Sequence, residues 1–432
     1  MSSDVPLSVL DLVPISSGST AAEALRNTLD LARRAEEFGY HRYWLAEHHL
    51  NPGVAGTSPA LIISLVAGAT ARIRVGSGAV QLGHHTPLSV VEQFGLLDAV
   101  HPGRIDLGLG RSGGAPRTPA APAEGAAGVA EGAGESEEPG TEEALGKEDG
   151  PGTEEALGKE DGPGTEEALG KENGPGKEDG PGRTEGTFTD SGLYLPPKYT
   201  GFARLLASPR FRLHQALLRQ PGATTPEYPD QIDDILALLA GKYRSADGVE
   251  AHVVPGEGAA VEVWILGSSG GTSALTAAAR GLPFAANYHV SPGTVVEAVE
   301  AYRKAFRPSP ALAGPRVLVS ADVVVAPDDA TARRLASGYG LWVRSIRTAE
   351  GAIPFPTPEE AARHRWSDED RALVADRVDT QFVGSPETVV ERLEALRAAT
   401  GADELLITTI THGHEDRVRS YELLADAWAK RA

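Results

Sequence analysis

The chain has 432 residues, room for two or three domains or for one large α/β barrel carrying insertions, and its 41% apolar and 23% charged residues can build a sizeable core. It has no cysteine, which excludes disulfide scaffolds, thiol nucleophiles and cysteine metal sites, and its net charge of −20 argues against nucleic-acid binding. No apolar run approaches the ~20 residues of a membrane span, and the start Met1-Ser-Ser-Asp-Val-Pro shows no secretory pattern, so no membrane partner and a cytoplasmic location are expected.

In chain order, Leu7 to Val13 reads as a strand. After Ser19-Thr20, Leu25, Leu29, Ala32 and Ala35 share one helical face that ends at Phe38-Gly39. Tyr43-Trp44-Leu45-Ala46 is the second strand, and Ser58-Pro59 opens a helix with Ser as N-cap and Pro at N1. Ile73 to Val80 is the third strand, Pro87 to Val100 a helix, and Ile105 to Gly110 the fourth strand.

Residues 113–186 break the pattern, with nineteen Asp or Glu against six Lys or Arg and no aromatic residue. A twelve-residue unit, Pro-Gly-Thr-Glu-Glu-Ala-Leu-Gly-Lys-Glu-Asp/Asn-Gly, starts at Pro139, Pro151 and Pro163, with a shorter copy at Pro175. Each full unit offers one leucine (Leu145, Leu157, Leu169) against a backbone ordering cost of roughly 1–2 kcal/mol per residue. A disordered acidic insert within a single domain spanning 1–432 is therefore expected.

Beyond it, Tyr228 to Leu239 reads as a helix, Val261 to Leu266 as a strand and Ser273 to Arg280 as a helix. Phe284 to Asn287, Val317 to Val325 and Glu404 to Thr409 are strands; Thr294 to Phe306, Pro386 to Ala399 and Glu415 to Lys430 are helices. Eight strands interleaved with helices fit a (β/α)8 TIM barrel, with its chemistry at the carboxyl ends of the strands. Periodicity alone leaves a doubly wound open sheet as the alternative.

The second strand ends in Glu47-His48-His49, and adjacent residues at a strand end point to opposite sides, so at most one histidine faces a barrel mouth. Imidazole suits proton transfer near neutrality, though a histidine packed under a loop is the competing reading. Glu-His-His lacks the spacing of a helical zinc motif, and no metal site is expected. Gly108, Gly110 and Gly113 form a formal G-x-G-x-x-G, but no helix pattern follows to hold a pyrophosphate. The glycines instead allow a flat ligand to approach, with Arg111 offering a fork for phosphate. The turn Gly267-Ser268-Ser269-Gly270-Gly271-Thr272-Ser273 brings N–H groups and hydroxyls to a helix start, a phosphate cradle without a P-loop lysine.

Taken in order, these segments resemble the luciferase-like family of flavin-dependent oxidoreductases and monooxygenases, the family of bacterial luciferase. The resemblance rests on Tyr43-Trp44-Leu45-Ala46-Glu47-His48-His49, Val75-Gly76-Ser77-Gly78-Ala79-Val80, Gly108-Leu109-Gly110-Arg111, Gly267-Ser268-Ser269-Gly270, Gly281-Leu282-Pro283-Phe284 and Gly384-Ser385-Pro386-Glu387. It implies a (β/α)8 barrel binding FMN at the strand ends. By that resemblance His48 is the proton-transfer residue, Gly78-Ala79 the strand end against the flavin ring, with a non-prolyl cis peptide in several members, and Arg111 a phosphate contact. Ser269, Gly270 and Ser273 match the phosphate loop, and the cysteine of luciferase falls at Gly110, so light emission is not carried over. Glu92, Asp98, Gly103 and Arg104 read as scaffold and Trp264 as core, while His289, after the sixth strand, is a substrate-side candidate.

The resemblance implies oxygenation of a small organic substrate with O2 and reduced FMN supplied by a separate flavin reductase, and the lack of a nicotinamide motif is consistent with that external source. A homodimer is expected. The alternatives are hydride transfer with the deazaflavin coenzyme F420, and a flavin-binding protein without turnover.

Overall fold

The computed structural model describes residues 5–111 and 186–431; the acidic repeats, expected to be disordered, lie outside the described residues. Eight strands close on themselves: β1 (Leu7–Asp11), β2 (Arg42–Leu45), β3 (Arg74–Ser77), β4 (Ile105–Gly110), β5 (Glu262–Gly267), β6 (Phe284–Asn287), β7 (Val317–Val325) and β8 (Glu404–Thr408). Every neighbouring pair is parallel, from Val9 opposite Tyr43 round to Leu7 opposite Leu405, with β4 and β5 sealing the ring through Gly108 and Trp264. Closure decides for the barrel against the open sheet. Between the strands run α1 (Ala21–Glu37), α2 (Pro59–Ala69), α3 (Pro87–Val100), α4 (Tyr228–Leu239), α5 (Thr272–Ala279), α6 (Val295–Ala305), α7 (Pro386–Thr400) and, last, α8 (His414–Ala429).

Strand parity sorts the core into two. Val9, Tyr43, Val75, Leu107, Ile265, Val319 and Leu405 pack outward against the helices, whereas Leu10, Trp44, Trp264, Ala285, Leu318 and Leu406 fill the barrel. Trp264 is fully buried, edge-on to Trp44 at 5.5 Å, as its core reading requires. Below it the inward positions turn polar: Arg42, Arg74, Asp106, Glu262, Arg316 and Glu404 form a closed ion-pair network at the amino ends of the strands.

Three local details differ from the sequence expectation. On α1, capped by a Thr20/Glu23 box, the buried stripe runs through Ala24, Thr28, Leu31, Ala32 and Ala35, and Leu25 and Leu29 lie at its edge; Thr28 is drawn in because its hydroxyl donates to the buried Asp11 carboxylate. Ser58 precedes Pro59 at the start of α2 without a side-chain capping bond. The third strand stops at Ser77, whose hydroxyl bonds the backbone of Gly108 in both directions, and pairing with β4 resumes at Val80–Gln81.

The barrel also carries excursions that periodicity did not announce. Helices Phe202–Leu206 and Pro209–Leu218 precede α4, and four more, Asp329–Leu335, Tyr339–Arg347, Pro358–Arg363 and Asp368–Val378, separate β7 from α7. The second group packs Trp342, Val343, Phe355 and Val374 onto the barrel's interior cluster and so roofs part of its mouth.

Candidate active site

At the carboxyl ends of the strands opens a cavity of about 480 Å3. Parity explains part of its wall. Ala46 and His48 continue the inward face of β2, Gly110 that of β4 and Ser268 that of β5, and all four line the space. His49, one residue on, points elsewhere: its Nε2 lies 2.7 Å from Glu47 Oε1. The cavity gathers His48, Gly78, Ala79, Arg111, Ser269, Ser273 and His289. Gly270 is not on the wall, because it packs against α6, where an added Cβ would stand 2.9 Å from that of Ala301.

One end of the cavity suits an anion. Helix α5 begins at Gly271, which has no side chain to cap it, and its first turn holds no acidic residue. The first N–H groups of a helix lack intrahelical acceptors, and Ser269, Thr272, Ser273 and Arg111 line the cavity with that helix start. Small residues make another part of the wall. The Gly78–Ala79 peptide is cis, as the resemblance implied, and Gly110 sits so close that an added Cβ would come 3.1 Å from that of Ala79.

Glu47, which sequence reasoning passed over, organises the β2 and β3 ends. Its buried carboxylate meets His49 Nε2 and His85 Nε2 (2.9 Å) and accepts from the Gln81 N–H (2.8 Å), while its carbonyl accepts from the Gln81 side chain. Burial pushes its pKa up, but these hydrogen bonds prevail and hold it at about 2. His48 has no hydrogen-bond partner for its ring among the described residues, and burial, which outweighs the pull of Glu47, brings its pKa down to about 4. Burial does the same for His84, also to about 4, and for His289, to about 3, with Arg377 and His48 adding to the effect. His289 Nδ1 lies 2.5 Å from Ser320 Oγ, which keeps its ring against β7.

These depressed histidines tie stability to pH. The unfolded chain takes up protons near pH 6.5 that the folded chain refuses until about pH 4 or 3, so stability should fall as pH drops through that window. Urea midpoints measured between pH 7 and pH 4.5 check this; a constant midpoint would contradict neutral, buried rings.

Sequence reasoning also missed Trp342, Ile346 and Arg377, which line the mouth from the helices after β7. The start signals of that region were legible: Asp328 and Ser367 cap their helices, and Thr357 with Glu360 forms a capping box. Which of their side chains reach the cavity is a tertiary matter.

Known proteins are similar to this chain in sequence and fold. Bacillus subtilis YvbT is 33% identical over 99% of this chain and 98% of its own, and a luciferase-like monooxygenase of Escherichia coli K12 is 28% identical over 98% and 96%. The crystal structure of apo-MsnO8 matches with a TM-score of 0.68 at 27% identity, over 98% of both chains. Two structures under 25% identity share the fold. The oxygenating constituent of 3,6-diketocamphane monooxygenase from Pseudomonas putida, in complex with FMN, matches at TM-score 0.57 and 18% identity, over 99% of this chain and 98% of that one. An F420-dependent secondary alcohol dehydrogenase, in complex with an F420-acetone adduct, matches at 0.55 and 11%, over 99% of both. With the luciferase-like monooxygenase profile matching residues 5–131 and 202–404, which carry the glycine wall, Arg111 and the α5 cradle, the chain belongs to that family of oxidoreductases.

Proposed function

We propose that the protein is a monooxygenase that uses reduced FMN and O2 to oxygenate a small organic substrate, with the flavin reduced by a separate reductase. The observation that carries this reading is the uncapped α5 start with Arg111, Ser269, Thr272 and Ser273 on a cavity that Gly78, Ala79 and Gly110 also line. Those donors fit a terminal phosphate, and the glycines leave room for a flat ring. Bound reduced FMN supplies the electrons with which O2 is split, one oxygen passing to the substrate and the other leaving as water. The chain's own part is to bind, orient and keep water out: Leu10, Leu12, Val54, Trp342 and Ile346 make the apolar lining, and His48, held neutral, moves a proton at its imidazole nitrogens. His289 is assigned to the substrate side.

Titrating the protein with FMN and with F420, followed by flavin fluorescence and absorption, tests the cofactor; O2 uptake with chemically reduced FMN and candidate substrates tests turnover. Binding of F420 alone would move the reading to deazaflavin hydride transfer, and FMN binding with no O2-dependent product to a flavin carrier. Arg111→Ala should weaken FMN by about ten- to a hundred-fold while leaving riboflavin, which has no phosphate, nearly unaffected. Equal losses for the two flavins would remove Arg111 from the phosphate site.

A homodimer is part of the proposal. Helix α2 is apolar on both sides, with Ile62, Ile63, Val66 and Ala67 buried and Leu61 and Leu65 exposed; beside it α3 exposes Leu88, Leu96 and Val100. A helix whose outer face is largely apolar, beside a neighbouring apolar face, calls for a cover, and a second copy of this face supplies one. Leu65→Glu combined with Leu96→Glu should shift the sedimenting species from dimer to folded monomer. An unchanged species would place the interface elsewhere.

A further inference from the structure

We propose that Arg377 anchors a carboxylate on the substrate, an inference that rests on the monooxygenase reading and narrows its substrate class to small organic acids. Arg377 comes from the helix Asp368–Val378 and lines the cavity with its side chain 10% exposed. Its guanidinium is fixed from one side only. Nε and Nη2 donate to the Tyr339 hydroxyl at 3.1 and 2.7 Å, Nη2 also reaches Asp322 Oδ2 at 3.3 Å, and the Tyr339 hydroxyl in turn donates to Asp322. Among the described residues Nη1 has no acceptor. A locked guanidinium with an unspent N–H edge on a cavity is a preorganised site for an oxyanion.

The surroundings select a monoanion. Trp342, which also lines the cavity, stacks on Tyr339 at 6.1 Å between ring centres and so backs the hydroxyl that holds Arg377. Ile346, Val290 and Leu12 give the body of the ligand apolar contact. The other guanidinium on the cavity, Arg111, lies at the phosphate end, and the Glu47 carboxylate is already occupied by His49, His85 and the Gln81 N–H. Nη1 leaves one N–H edge open, enough for a single carboxylate, and Asp322, 3.3 Å from Nη2, disfavours a second negative charge beside it.

The test compares benzoate with benzamide, which have the same shape and differ in charge, by calorimetric titration of protein saturated with FMN so that the Arg111 end is filled. Benzoate should bind about ten- to a hundred-fold more tightly than benzamide. The preference should vanish in the Arg377→Gln, Asp322→Asn double variant, which removes the pair together and leaves no lone buried charge, and should survive in part in Arg377→Lys. Equal affinities, no binding of either compound, or a preference that persists in the double variant would overturn the assignment. FMN binding is read separately by flavin fluorescence. Should FMN fail to bind, the same pair is titrated into protein saturated with inorganic phosphate, so the flavin reading can fall while the carboxylate preference stands or falls by itself.

Discussion

Replacing His48 with Asn should slow oxygenation by ~10²–10⁴-fold, the usual effect of losing a general acid or base, with FMN affinity and stability close to those of the parent. The geometry makes this separation possible. The His48 ring lines the cavity and holds no hydrogen bond to the described residues, so an amide of similar size removes no structural partner. Its pKa of about 4 keeps it unprotonated through the neutral range, so the His48-dependent part of the rate should persist as pH falls to about 5 and be lost near 4. His49→Asn should behave in the opposite way. That ring is bound to Glu47, which also holds His85 and the Gln81 N–H, so its loss should loosen the β2 and β3 ends and lower stability, with a smaller effect on rate. A His48→Asn enzyme that turns over normally would end the proton-transfer assignment, and one that unfolds would show the ring to be structural.

That the two histidines face opposite ways was legible in the sequence from strand parity, while the choice of His48 as the inward one came from the family resemblance. Short β-rich runs placed β4, β6 and β7 at the residues observed, and the Pro at N1 placed the starts of α2 and α3. What stayed illegible depends on long-range contact. Glu47 looks like a loop carboxylate until His85, 38 residues away, meets it. Arg377 is one of many helical arginines until Tyr339 and Asp322 turn it toward the barrel. Gly270 shares the composition of the phosphate turn, yet the close passage of α6 claims it. Thr28 is polar and so escaped the apolar count on α1, although the buried Asp11 carboxylate needs its hydroxyl.

Arg42→Met should cost about 3–5 kcal/mol of unfolding free energy, the usual result of removing one partner from a buried ionic cluster. Arg42 is 1% exposed and lies across the barrel floor: Nε donates to Glu404 at 2.9 Å, and Nη1 to Asp106 at 2.7 Å and Glu262 at 3.0 Å. Its guanidinium also sits 5.0 Å from the Trp264 ring centre, so it supports the lowest apolar layer as well as the carboxylates. Without it, Asp106 keeps Arg74 and the Trp44 indole N–H, but Glu404 is left with Ser8 and a single 3.4 Å contact to Arg316. The penalty therefore falls mainly on Glu404, and Glu404→Gln added to Arg42→Met should recover part of it. Both residues lie at the amino ends of the strands, away from the cavity, so FMN affinity of the folded variant should stay near that of the parent. Urea unfolding of the single and double variants measures the first claim and flavin titration the second. A loss below about 1 kcal/mol for Arg42→Met would mean that the floor carboxylates are satisfied without it, and would shift the burden of closing the barrel onto the apolar layers above.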